Sequence, residues 1–306
     1  MRYLMIGTGG TGGPTAFKLA SAGHPVTVIA RGRHLEMIRA HGLTLRHLWD
    51  WTEENVRVDA FAEEDYDGIA DVIFVCVKGY SVADIVPLIR KASDEHTVIV
   101  PVLNIYTIGE TLRELIPDRY IIDGCIYVSA NIDEPGVIIM HSKILRIIFG
   151  LSKGQEERPV LTALEKELND AGIRGIYSKN IRRDALKKFS YVSPVGAAGL
   201  YCNCTAGEFV KEGEARDLCI GMMREIEALA EAMGAPFDTD VIASNCKILD
   251  NQPAETTTSM QRDIFAGGRS EIQGLVYDVP ETGKQYGLDM PLYSKVAEEL
   301  KRRYGD

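Results

Sequence analysis

Six residues close to the N-terminus, Gly7-Thr8-Gly9-Gly10-Thr11-Gly12, stand between an apolar run at 2–6 and a helical pattern at 14–22. Glycines at this spacing let a chain turn tightly at the first, approach a pyrophosphate at the second and pack a helix closely on a strand at the third. The N-terminal end of the following helix attracts the phosphates. The segment formed by Gly7, Thr8, Gly9, Gly10, Thr11 and Gly12 is therefore expected to bind a dinucleotide. A glycine turn without ligand is the rival reading, and the strand before it and the helix after it weigh against that.

The end of the second strand decides which dinucleotide. A site for NAD usually places a carboxylate there for the ribose 2′-hydroxyl. Here the run ends in Ala30-Arg31-Gly32-Arg33, without one. The donor fork of Arg31 suits a 2′-phosphate, so NADP(H) is expected. Were Arg31 and Arg33 only solvated charges, little discrimination would follow. Hydride transfer from such a carrier needs a carbonyl held against it and a Lys, His or Tyr to protonate the developing alkoxide. Lys78 follows the run at 72–77 and Asn104 the run at 97–103, at the carboxyl edge where parallel sheets bind ligands. Both are expected to touch cofactor or substrate. Further on, Lys187 and Lys188 stand side by side in a helical stretch, and at most one shares a face with Leu186 and Val192. Periodicity does not choose between them. Glu271 opens an apolar helix, where spacing alone makes it a capping or surface carboxylate.

These groups need a scaffold. The 306 residues suffice for about two domains. From the N-terminus to about residue 179, β-rich runs at 2–6, 26–30, 71–77, 97–103 and 121–128 alternate with helical patterns, which predicts a mainly parallel sheet. Runs such as VIFVCV and VTVIA lack polar alternation, as strands covered on both faces do. The runs at 137–140 and 144–149 are expected to form a hairpin-type addition around Ser142 and Lys143, and 159–171 a surface helix. Beyond 181 the texture is helical, at 185–192, 216–233, 256–265 and 270–286, the last two separated by Gly267 and Gly268. The fold class expected is α/β: an N-terminal Rossmann-like dinucleotide-binding domain, residues 1–179, and a C-terminal all-helical domain, residues 180–306.

Composition narrows the partners. With 34 basic and 44 acidic residues the net charge is −10, which disfavours nucleic acid and anionic membranes. No apolar run reaches the roughly 18 residues of a spanning helix. The six cysteines are scattered, and Cys202 and Cys204 are too close together for a zinc knuckle. They are read as reduced thiols in a cytoplasmic protein, with no apolar leader at the N-terminus. His141 has no second ligand at metal spacing, so it is read as structural and no catalytic metal is expected. Nucleophile triads have no local support.

Taken together the motifs resemble those of the ketopantoate reductases (2-dehydropantoate 2-reductases), over nearly the whole chain. They are GTGGTG, Arg31, VCVKGY around Lys78, VLN ending in Asn104, ALKKF around Lys188, and TSMQRDI followed by RSEIQG, with a spacing of twelve from Ser259 to Glu271. The resemblance implies NADPH-dependent reduction of ketopantoate to pantoate, in pantothenate biosynthesis, at a cleft between the domains. It implies that Lys188 is the general acid, that Glu271 organises the site beside it, and that Ser259 contacts the substrate carboxylate. Lys78 and Asn104 would line the nicotinamide end, with Asn104 also touching substrate. Lys187 is then assigned to the solvated face. Tyr191, three residues after Lys188, is a candidate for the pocket wall.

The departures bear on substrate. Where the family commonly has asparagines four, eight and eighteen residues after its lysine, this chain has Val192, Gly196 and Ala206, and Ile105-Tyr106 follow Asn104 where the family commonly has Gly. A site without those groups enforces a substrate hydroxyl less strongly, so a more apolar 2-oxo acid is the alternative substrate. An NADP(H)-sensing protein without turnover is a further alternative, opposed by the joint retention of Lys188 and Glu271. The partner expected is a small 2-oxo acid; a homodimer is open.

Overall fold

Residues 1–305 are described by the computed structural model, and the chain falls into two units, Met1–Ile181 and Arg182–Asp306. The first unit holds strands β1 (Tyr3–Ile6), β2 (Val26–Ile29), β3 (Leu43–His47), β4 (Glu53–Val56), β5 (Asp59–Phe61), β6 (Val72–Val75), β7 (Val98–Pro101), β8 (Tyr120–Ile121), β9 (Asp123–Glu134), β10 (Val137–Gly150) and β11 (Arg174–Ser178). Helices α1 (Gly12–Ser21), α2 (Gly32–His41), α3 (Val86–Ala92), α4 (Ile108–Leu115) and α5 (Pro159–Asp170) connect them.

Six strands form a parallel sheet in the order β5-β2-β1-β6-β7-β8. β1, β6 and β7 are buried at every position, which explains why their sequences show no polar alternation. Tyr3 and Met5 enter one core with Phe17 and Leu19 of α1 and Ile147 and Phe149 of β10. Leu4 and Ile6 point the other way, into a second core with Leu88 and Ile89 of α3 and Leu112 of α4. The carboxyl ends of the central strands lie in one row, because Ile6 pairs with both Ile29 and Val75, and Val75 with Pro101. The chain reverses its direction of travel across the sheet between β1 and β6, the switch point where open α/β sheets bind ligands.

A second sheet runs β11-β10-β3-β4, with β9 paired to β10. Here the structure corrects the expectation from sequence. The runs at 137–140 and 144–149 are not two arms of a hairpin; they are one strand, β10, whose antiparallel partner is β9. The turn is at Pro135-Gly136, and a register irregularity between Met140 and Leu145 absorbs the polar Ser142 and Lys143. The run at 121–128 is likewise divided: Tyr120–Ile121 closes the parallel sheet and the chain from Asp123 onward belongs to the other. Three short strands, β3 to β5, and β11 lie outside the expected set. Helix α5 buries Leu161, Leu164 and Leu168, so its apolar stripe belongs to the core.

The second unit consists, among the described residues, of helices α6 (Ile181–Tyr201), α7 (Ala206–Phe209), α8 (Glu214–Ala232), α9 (Val241–Asp250), α10 (Ser259–Phe265), α11 (Val279–Gln285) and α12 (Pro291–Tyr304). The stretch at 270–286 is not the single helix expected. Gln273–Tyr277 forms a π-helical turn, and α11 restarts with Pro280 in its first turn. Proline has no N–H to continue the preceding helix, so the break falls where the sequence places it. Thr258 and Gln261 form a capping box that starts α10, and the Glu225 carboxylate accepts the N–H groups of Leu292 and Tyr293 at 2.8 and 3.0 Å to start α12. No helix of the described residues is long and apolar enough to cross a membrane. No disulfide joins the cysteines.

Candidate active site

The glycine turn leaves β1 directly at the carboxyl row of the sheet. Gly7 has φ +100°, and a Cβ there would meet the backbone of Cys76 and Val77 at 2.9 Å. Only glycine fits both the conformation and the space. A Cβ on Gly12 would lie 2.1 Å from the Gly7 carbonyl, so its absence seats α1 against the turn, while one on Gly10 would strike the Ala130 carbonyl of β9. Gly9 differs from all three: nothing lies within 4 Å of a Cβ built on it. The turn thus leaves open space beside Gly9, the position at which the glycine motif lets a pyrophosphate approach. Helix α1 begins without a side-chain cap or an acidic residue in its first turn, so its dipole is left for an anion to offset. Thr11 occupies its N-cap position. These features fit a dinucleotide.

Two anchors hold the turn. Thr8 is buried, and its Oγ1 donates to the Ile29 carbonyl at 2.9 Å, fixing the turn to the end of β2. The Thr8 carbonyl lies 2.9 Å from Nε2 of His34, whose Nδ1 accepts from the Gly136 N–H at 2.9 Å. Burial lowers the pKa of His34 from its ordinary value. Nothing in the local sequence pattern around residue 34 marks this histidine, because its partners are distant in the chain. Arg31, the N-cap residue of α2, is extended and exposed beside the exposed Arg33. Lys78 and Asn104 each stand three residues beyond the aligned strand ends Val75 and Pro101 and are half-buried. The parallel sheet therefore gathers the glycine turn, Arg31, Lys78 and Asn104 at one edge.

In the helical unit Lys188 is only 6% exposed, and Glu271 likewise 6%, so Glu271 is not the surface carboxylate that spacing alone suggests. Lys187 is turned away to Asp238 and, at 3.8 Å, Asp184. The helix of Lys188 and the segment of Glu271 are tied together. Ser193 Oγ, five residues after Lys188, donates to the carbonyl of Leu275, four residues after Glu271, inside the π-helical turn. With its only proton so used, Ser193 accepts from the Tyr293 hydroxyl at 2.6 Å. All three residues are buried.

Ser259 begins α10, which docks on α6 through glycines. A Cβ on Gly196 would meet the Met260 methyl at 2.7 Å, and one on Gly199 the Gln261 amide at 2.6 Å. The position where the resemblance expects a second asparagine is thus covered by a methionine methyl. Val192 is half-buried and Ala206 buried. The Tyr191 hydroxyl, pushed up to about 12 by burial, is hydrogen-bonded to Gln252. His141 is exposed on β10 and bonds Asn131 of β9. No group of three or more His, Cys, Asp or Glu among the described residues is placed to hold a metal.

A Rossmann-type sheet with an open glycine turn, followed by a helical unit that buries a lysine and a carboxylate, defines an NAD(P)(H)-dependent oxidoreductase. Family models agree: residues 3–154 match ketopantoate reductase PanE/ApbA and residues 180–303 match its C-terminal part. The chain belongs to the ketopantoate reductase PanE/ApbA family, whose members reduce a 2-oxo acid at the expense of a nicotinamide dinucleotide. The 2-dehydropantoate 2-reductase of Mesorhizobium japonicum is 27% identical over 99% of this chain and 97% of its own length. A solved structure of the 2-dehydropantoate 2-reductase from Porphyromonas gingivalis W83 superposes with a TM-score of 0.82 at 26% identity, covering 98% of this chain and 99% of that one. D-mandelate dehydrogenase, solved with NADH and anilino(oxo)acetate, shares the fold with a TM-score of 0.88 at 19% identity, covering 99% and 98%.

Proposed function

We propose that the chain uses NADPH to reduce 2-dehydropantoate to pantoate, with Lys188 as general acid and Glu271 as its counter-charge. The observation that carries this reading is the burial of a lysine and a carboxylate on two segments pinned by Ser193. A buried ammonium is costly unless a compensating charge or donor set surrounds it, and such groups belong to sites that use them. The turn at 7–12 would hold the pyrophosphate, Arg31 the 2′-phosphate, and Lys78 and Asn104 the nicotinamide end. The bound dinucleotide supplies the hydride to the carbonyl carbon. Lys188 Nζ polarises the carbonyl oxygen and then gives it a proton, leaving a neutral amine that regains its proton from solvent. Ser259 would bind the substrate carboxylate through its hydroxyl, with Asn104 as a second polar contact. With this substrate the enzyme would serve pantothenate biosynthesis in the cytoplasm.

A second reading keeps the chemistry and changes the substrate to an apolar 2-oxo acid. It is favoured by the Met260 methyl over Gly196 and by Val192 and Ala206, which offer a substrate hydroxyl no donor or acceptor side chain. D-mandelate dehydrogenase shares the fold, so the fold alone does not fix the substrate. Steady-state assays with 2-dehydropantoate, pyruvate, a branched aliphatic 2-oxo acid and phenylglyoxylate, each with NADPH and with NADH, separate the readings. The first predicts the highest kcat/KM for 2-dehydropantoate with NADPH; a higher value for an apolar acid selects the second. Tight NADPH binding with no turnover of any acid would make the chain a sensor of the dinucleotide instead.

A further inference from the structure

We propose that His34 is a positioning residue for the dinucleotide turn, holding the Thr8 carbonyl so that the Gly9 N–H is presented to the pyrophosphate. The inference rests on dinucleotide binding and is independent of the substrate. Hydrogen bonding leaves the ring one arrangement. The Gly136 N–H can only donate, so Nδ1, 2.9 Å away, is unprotonated. The neutral ring then carries its hydrogen on Nε2, which donates to the Thr8 carbonyl at 2.9 Å.

The consequence passes through one peptide plane. The Thr8–Gly9 peptide is trans, so its carbonyl and the Gly9 N–H point in opposite directions. A ring that fixes the first fixes the second. The other side of Gly9 is already engaged, since its carbonyl accepts the Gly13 N–H at 2.8 Å inside the turn. Where a Gly9 Cβ would stand, no atom of any residue other than its chain neighbours lies within 4 Å. With the Thr8 side chain pinned to Ile29, the peptide is held at two points before any ligand arrives, and preorganised N–H donors bind anions without first being ordered.

The ring also joins segments that act on different parts of one ligand. His34 lies three residues after Arg31, at the start of α2. Its other anchor, Gly136, turns β9 into β10 with φ +86°, and a Cβ there would meet Met37 Cβ at 2.9 Å, so this turn is pressed onto α2. A single imidazole thus links the pyrophosphate turn, the 2′-phosphate segment and the second sheet.

Three variants separate this role from plain hairpin anchoring. His34→Gln keeps a donor at the reach of Nε2. His34→Asn keeps an acceptor near the place of Nδ1 but falls short of Thr8. His34→Leu removes both. Titration of the full chain with NADPH and with NADH, followed by calorimetry, gives Kd, and amide hydrogen exchange at Gly9 is followed in the cofactor-free protein. The expected result is an NADPH Kd raised about tenfold in the Leu and Asn variants and within about threefold of wild type in the Gln variant. Gly9 exchange quickens in the first two only, and kcat at saturating NADPH is unchanged in all three. Wild-type Kd in the Asn variant, or a Gln variant as weak as Leu, overturns the proposal. If the Leu variant does not fold, the Gln and Asn pair still decides. A wild-type chain that binds neither dinucleotide overturns the site itself.

Discussion

Lys188 and Arg31 carry the residue-scale expectations, for opposite reasons of environment. Lys188 is buried, so as the proposed general acid it would act in a medium of low dielectric constant, where polarising a carbonyl is worth far more than in water. Lys188→Ala should lower kcat about a hundred- to ten-thousandfold while the Kd for NADPH stays at the wild-type value, checked by stopped turnover and calorimetric titration on one preparation. Arg31 is exposed, so in the proposed function it would contribute only through the 2′-phosphate of the dinucleotide. Loss of a charge-assisted, bidentate contact costs about 1.5–3 kcal/mol, so Arg31→Ala should raise the KM for NADPH roughly ten- to a hundredfold and leave that for NADH unchanged. Equal effects on both dinucleotides would assign Arg31 no part in discrimination. Gly7, Gly9 and Gly12 were legible as residues because their spacing encodes a backbone path. His34 was not, since its role depends on Thr8 and Gly136, which are 26 and 102 residues away in the chain.

Among the elements, the π-helical turn Gln273–Tyr277 shows what periodicity misses. A wide turn leaves a carbonyl out of the regular ladder, and the Ser193 hydroxyl takes up that of Leu275 while accepting from Tyr293. Ser193→Ala should leave two buried polar groups without this partner, at about 1–3 kcal/mol, and displace Glu271 relative to Lys188. Tyr293→Phe should cost less, because the Ser193 to Leu275 bond survives it. Urea unfolding midpoints and kcat for both variants check the order; a Tyr293→Phe variant harmed as much as Ser193→Ala would contradict this account. The strands β1, β2, β6 and β7 could be read from their apolar runs, and so could the helices α8 and α10 to within a few residues, whereas α6 (Ile181–Tyr201) extends well beyond the expected 185–192 at both ends. The long pair β9 and β10 could not. Its polar residues at 141–143 interrupt the pattern at a register irregularity, so one strand reads as two.

Across the whole molecule, His34 makes stability depend on pH. Burial lowers its folded-state pKa below the ordinary 6.5, so the unfolded chain binds a proton more readily than the native one. The contribution is complete above about pH 6.5 and is lost as the pH falls through the lower native value. Thermal unfolding between pH 7.5 and 5 should show wild type losing more Tm than His34→Gln over that interval; parallel curves would remove the ring from the account. The sequence by itself determined the order of β-rich and helical halves, the glycine turn at the first strand and the absence of a carboxylate after the second. Those are local, since spacing along the chain sets which face a residue occupies and what conformation its backbone tolerates. Only the tertiary structure decided that Glu271 is buried, that Lys187 turns to Asp238, that Met260 covers Gly196 and that His34 holds Thr8, because each depends on which distant segment packing brings alongside.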